Sequence, residues 1–166
     1  MNAQTWIKRL DLCPHPEGGY YRETYRADHT LPKNSLPKGF KGPRSVSTAI
    51  YFLLKRGQIS RFHRIASDEI WHHYAGGSLI IHGLTPEGHH IRFKLGKHAS
   101  LGEQPQVIIP AGTWFGAALA PRTIFALVGC TVAPGFDFTD FEMSKTASLL
   151  QKYPAHKAII KQLCPT

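Results

Sequence analysis

The chain has 166 residues, 42% hydrophobic and 19% charged, the size and balance of one globular domain spanning 1–166. No stretch approaches the ~20 uninterrupted apolar residues of a membrane helix, and the opening MNAQTWIKRLDL lacks the basic-then-apolar run of a secretory signal, so a soluble cytoplasmic protein is expected. The formal charge of +9 is scattered, its densest group (Lys33, Lys38, Lys41, Arg44) lying in a Pro/Gly-rich loop; no nucleic-acid motif accompanies it, and no nucleic-acid partner is expected.

In chain order, Asn2 is placed to cap a short helix with Trp6, Ile7 and Leu10 on one face, ended before Cys13-Pro14. Tyr20–Arg26 reads as a β-segment, and Ser45–Leu54 as a well-buried strand. Strands follow at Ile59–Ile65, Glu69–Tyr74, Leu79–Gly83, His90–Leu95, Gln106–Ile109, Trp114–Leu119 and Thr123–Ala133, separated by Gly and Pro turn signals. Beyond Glu142, MSKTASLLQKY and Ala155–Leu163 read as two short helices interrupted at Pro154. Many short strands without crossover helices specify an all-β sandwich or barrel.

Three widely spaced cysteines, Cys13, Cys130 and Cys164, fit neither a disulfide framework nor a thiolate metal site, and Cys130 reads as a small core residue. The segment GQISRFHRIASDEIWHHYAG carries more chemistry: His63 ends one strand and Glu69 opens the next, six residues on. If the two strands form a hairpin on the wall of a barrel, an imidazole and a carboxyl meet inside a partly dry cavity. Strict alternation from an inward Glu69 sends Trp71 and His73 inward and His72 outward, whereas a bulge reverses the last two.

These residues carry a resemblance to the cupin superfamily, whose first motif, G-x5-H-x-H-x3–4-E-x6-G, is matched by Gly57, His63, Glu69 and Gly76. Ile65 stands where that motif has its second histidine, and Phe115 where the second cupin motif has its last. A resemblance over nearly the whole chain is to the uncharacterised cupin family five, a domain of unknown function. It rests on His15–Arg26 (HPEGGYYRETYR), Ser47–Leu54, Ser67–Gly76, Pro110–Ala117 and Gly129–Glu142. The resemblance implies an antiparallel double-stranded β-helix, the jelly-roll barrel, with a short N-terminal helix and two short C-terminal helices. It also implies a homodimer paired through exposed N-terminal strands such as Tyr20–Arg26.

Two function classes compete for the pocket. In one, the resemblance extends to metal-free sugar-nucleotide epimerases: His63 is the base, its charge and tautomer set by a carboxylate such as Glu69, and a tyrosine (Tyr20, Tyr21 or Tyr51) supplies a proton to a sugar-like or nucleotide-linked substrate. In the other, the same pocket only binds a small molecule. Tyr51, Trp71, His72, Trp114 and Phe115 are the candidate ligand-lining residues. No cofactor is required by either reading. A metal-dependent, oxygenase-type cupin is a third class, with zinc or iron held by His63, Glu69 and either His72 or His73, the resemblance favouring His72 through the family string DEIWH. Arg22 and Arg26 flank Glu23, in reach of a surface salt bridge or an anion clamp.

Overall fold

The structure is a computed structural model and describes residues 1–164. Helix α1 (Ala3–Arg9) starts where the Asn2 side chain accepts the Thr5 amide proton at 2.9 Å. Its Trp6, Ile7 and Leu10 pack on Leu53 and Leu127. Thirteen strands follow: β1 (Cys13–Pro14), β2 (Tyr20–Arg26), β3 (Thr30–Leu31), β4 (Arg44–Ser45), β5 (Thr48–Lys55), β6 (Ile59–Arg64), β7 (Asp68–Gly76), β8 (Leu79–Leu84), β9 (His90–Leu95), β10 (Gln106–Ile109), β11 (Trp114–Leu119), β12 (Phe125–Ala133) and β13 (Glu142–Met143). Helices α2 (Thr146–Lys152) and α3 (Lys157–Leu163), joined by a single turn at Pro154–His156, end the fold. Among the described residues no helix is long and apolar enough to cross a membrane, which says nothing of a β-barrel.

The strands form two facing antiparallel sheets, ordered β1-β2-β5-β12-β7-β10 and β13-β6-β11-β8-β9, with β3-β4 as a separate ribbon. Alternation decides what each contributes. On β5, Phe52 and Leu54 point into the core between the sheets, while Leu53 points out beneath α1. On β11, Phe115 and Ala117 point in, while Trp114 and Ala118 point out to Leu149, Ile160 and Leu163 of the C-terminal helices. Side chains such as Phe52, Trp71, Leu79 and Ile81 are almost wholly buried, and each contributes roughly 1.5–3 kcal/mol of transfer free energy.

The hairpin expected from β6 and β7 is not formed, since the two strands lie in opposite sheets. The chain crosses between them at Ile65-Ala66-Ser67, pinned by the Ser67 hydroxyl on the Pro134 carbonyl (2.6 Å) and by the Gly112 amide on the Ile65 carbonyl (3.0 Å). His63 and Glu69 therefore reach the interior from facing walls. At the β1–β2 connection Gly18 adopts φ +112°, and the Arg61 amide donates to the Glu17 carbonyl at 2.9 Å. A Cβ at Gly18 would collide with the Ile59 carbonyl, so this glycine allows a close backbone approach as well as a turn.

Gly39 has nearly the same φ, +116°, but open space around it, so the pair separates dihedral strain from collision. Gly39→Ala is expected to cost about 1–2 kcal/mol. Gly18→Ala should cost clearly more, because backbone must move, as read from denaturation midpoints; equal losses would show that the β1–β2 connection yields freely.

Candidate functional site

A cavity of about 350 Å³ lies between the sheets. Its floor is the inner face of the larger sheet: Thr48, Ile50 and Phe52 of β5, Cys130 and Val132 of β12, and Glu69 and Trp71 of β7. His63 and Ile65 face them from the β6 side, the β1–β2 connection brings in His15 and Glu17, and β2 brings in Tyr21, Arg22, Glu23 and Arg26. The segment between β12 and β13 adds Phe136, Phe138 and Phe141, three rings in mutual edge contact. This strap is tied down by the Phe136 amide on Thr48 Oγ1 (2.9 Å) and by the buried Arg44–Asp140 ion pair (2.7 Å).

The polar heart of the cavity is Glu17. Its Oε1 accepts the Ser60 hydroxyl at 2.8 Å, while Oε2 lies 3.3 Å from His63 Nε2 and 3.4 Å from His15 Nδ1. His63 Nδ1 sits 2.7 Å from the Arg61 carbonyl, which only accepts, so that nitrogen carries the proton and Nε2 is free in the neutral ring. The Glu17 amide likewise donates to His15 Nδ1 at 3.2 Å. Burial holds both imidazoles below their ordinary pKa and Glu17 above its own. The protonation that satisfies this geometry keeps the group uncharged, with a Glu17 proton shared toward His63 Nε2.

Glu69 stands on the facing wall, 7% exposed, and burial pushes its carboxyl up to about 7 against the opposing effect of His63. The Cys130 thiol beside it is pushed well above its usual range by burial and by that carboxyl. The Trp71 indole N–H, close to the same carboxyl, is buried without a hydrogen-bond partner.

His63, Glu69 and Trp71 thus line one cavity, and Phe115 backs it, its ring 4.1 Å from that of His63. Three expected lining residues lie elsewhere. Tyr51 alternates away from Phe52 onto the outer face of the sheet, edge-on to Tyr74. His72 is on that same outer face, within reach of Gln106 (3.2 Å) and Thr131 (3.3 Å); alternation from Glu69 holds through it, and the β7–β12 register slips only further on, between Leu127 and Val128. His73 binds the Gly77 carbonyl at 3.0 Å. Trp114 is under the C-terminal helices, with the Arg64 guanidinium 4.7 Å above its ring. Of the tyrosines weighed as proton donors, Tyr21 lines the cavity, whereas Tyr20 packs outward against Lys55. Arg26 is spent on Glu23 through two hydrogen bonds of 2.9 and 2.7 Å.

Sequence reasoning missed His15 and Glu17, whose signal was the string HPEGG at the head of the whole-chain resemblance. Glu69 does act on His63 by charge, but the carboxyl in contact with that ring is Glu17, and the tautomer is set by the Arg61 carbonyl.

The donor set does not fit the metal that many cupins hold. Ile65 and Phe115 occupy two ligand positions and cannot ligate, His72 faces away, and Glu17 is engaged by Ser60 and both imidazoles. Among the described residues no group of three or more His, Cys, Asp or Glu has metal-holding geometry.

Comparison with known proteins agrees with this architecture. A solved hypothetical protein from Leishmania major superposes with a TM-score of 0.89 at 37% identity, covering 98% of each chain. Protein SO0799 from Shewanella oneidensis gives 0.87 at 42%, covering 98% of this chain and 97% of that one. The uncharacterized protein YML079W of Saccharomyces cerevisiae is 32% identical over 154 residues, 87% of this chain and 76% of its own. Oxalate decarboxylase of Bacillus subtilis shares the fold alone, at a TM-score of 0.55 and 15% identity over 93% of this chain and 38% of that one. Residues 4–144 match the family model described as cupin superfamily (DUF985), and the chain belongs to that family.

Proposed function

We infer that this small-molecule-binding cupin catalyses proton transfer next to a carbonyl, as an isomerase or epimerase does, on a sugar-like or similarly compact substrate. The observation that carries the reading is the pairing of a tautomer-fixed His63, its Nε2 beside Glu17, with Glu69 on the opposite wall of the same cavity at a pKa of about 7. A general acid or base works best with a pKa near the working pH, and two such groups on facing walls can remove a proton at one position and return one at another.

Loss to solvent of the proton that Glu17 shares toward Nε2 leaves that carboxyl ionised; His63 Nε2 then takes the proton from the carbon, and the imidazolium formed is stabilised by the carboxylate 3.3 Å away. The bonding pair left behind moves onto the carbonyl oxygen as an enolate. Glu69, in its protonated form, or the Tyr21 hydroxyl delivers the returning proton; burial raises the pKa of Tyr21, which keeps that hydroxyl protonated.

The test is wash-in of solvent deuterium. A panel of ketoses and 4-keto sugar nucleotides is incubated with the protein in D2O, and loss of the proton signal adjacent to the carbonyl is followed by NMR. Wild type is expected to exchange at least one member, and His63→Gln to slow that exchange at least about a hundredfold. A panel member that binds without exchange would instead support a purely ligand-binding cupin.

Glu69 also makes a stability prediction. Its folded pKa of about 7 exceeds the unfolded value of 4.5. The folded state then holds the extra proton between these values, so the stability contributed is full below 4.5 and is lost as pH rises through about 7. Glu69→Gln removes that loss. Relative to wild type, the variant should gain on the order of 3 kcal/mol between pH 4.5 and about pH 8, measured by denaturation. A pH-independent difference would contradict the raised pKa.

A further inference from the structure

We propose that the inner end of the cavity recognises an organic ammonium group, held by the Glu69 and Glu17 carboxyls within the aromatic strap. The inference rests on the reading that this cavity takes a small organic ligand, but it does not require that ligand to be turned over.

Three observations carry it. First, the two acids at the inner end meet no basic partner: Glu17 and Glu69 come from opposite sides of the void, and among the described residues neither forms an ion pair with a Lys or Arg, although Arg22 and Arg26 of β2 also line the cavity. The nearest candidate cations are otherwise engaged. Arg26 is bound by both oxygens of Glu23 and by the Phe136 carbonyl, and Arg44 by Asp140. Arg22 lines the cavity as well, but its register partner is the outward-facing Tyr51, and among the described residues it forms no ion pair with either acid. A carboxylate or phosphate seated between Glu17 and Glu69 would meet two acids.

Second, the acids are accompanied by π-faces. Tyr21, Phe52, Trp71, Phe136, Phe138 and Phe141 line the same void. Aromatic rings beside a carboxyl form the arrangement that recognises ammonium ions, because ring quadrupoles attract a cation while tolerating its methyl or methylene groups. A neutral ligand can also use these rings, but it leaves Glu69 without a cation.

Third, Glu69 is more than nine-tenths buried and has no ion-pair partner among the described residues. The groups facing it are His63 from β6, Cys130 from β12, Trp71 from its own strand and, at longer range, Glu17; only His63 favours its ionised form by charge. Burial raises its pKa, against the opposing effect of His63. Arrival of a cation should ionise it and release a proton.

The experiment uses choline, with 3,3-dimethyl-1-butanol as its uncharged isostere and oxalate as an anion, titrated calorimetrically at pH 7 in two buffers of different ionisation enthalpy. Choline and benzyltrimethylammonium are expected to bind at least tenfold tighter than the isostere, with oxalate not binding. Because Glu69 titrates near 7, about half a proton should be released per cation bound. Glu69→Gln should abolish both the preference and the release. Phe138→Ala, at a side chain already 49% exposed and so tolerant of truncation, should weaken choline several-fold without altering the fold. Equal binding of choline and its isostere, tighter binding of oxalate, or no saturable binding of either ammonium ion at roughly 10 mM overturns the proposal. Because none of these readouts involves turnover, they are separate from the deuterium wash-in, and either idea can fail alone.

Discussion

The site depends on one buried carboxyl. Glu17 receives a hydroxyl from Ser60, faces the imidazoles of His63 and His15, and has its own carbonyl bound by the Arg61 amide. These contacts join the β1–β2 connection of one sheet to β6 of the other and close that end of the cavity. A carboxyl taken this far out of water is tolerated only because every polar atom around it is satisfied, and an unmet one costs several kcal/mol. The collision waiting at Gly18 shows how little slack the arrangement has. The same contacts that hold the sheets together thus fix the nitrogen with which His63 meets a ligand.

Placing β6 and β7 in facing sheets has a chemical consequence. A hairpin would have set His63 and Glu69 side by side, an imidazole and an acid neutralising each other. Across the void they act on each other only at a distance: His63 is in contact with Glu17, whereas Glu69 has no ion-pair partner among the described residues. With Ile65 and Phe115 at positions where a metal-holding cupin would ligate, the cavity is left with groups that exchange protons and rings that pack. One fold supports either chemistry, and a few side chains on its inner faces decide between them.

Much of the fold was legible in the sequence because local signals agreed. His90–Leu95, Gln106–Ile109 and Trp114–Leu119 have the bounds that alternation and turn residues suggest, and Asn2 caps α1 as its type and position require. The site was legible only where one strand carried it. Alternation on β7 sends Glu69 and Trp71 inward and His72 outward, and the residue pattern alone held that answer; the string DEIWH pulled toward the other. Tyr51 and Trp114 look like pocket aromatics by type, yet each neighbours a residue, Phe52 or Phe115, that takes the inward position. Glu17 was out of reach because its partner Ser60 lies 43 residues away in another sheet, and no periodicity within either segment records that meeting.

Net charge says little about what enters. A formal +9 spread over the surface biases the approach of ions, but such fields are screened within about 8–10 Å at physiological salt. Inside the cavity the dielectric is lower and the nearest groups dominate, so two acids that among the described residues pair with no Lys or Arg outweigh a distant positive surface. The chain can therefore be basic as a whole and acid-lined within. Arg44, one of its few buried cations, is committed to Asp140 and holds the strap that carries three of the cavity's aromatic rings, so its charge supports the shape of the site and is not offered to a ligand.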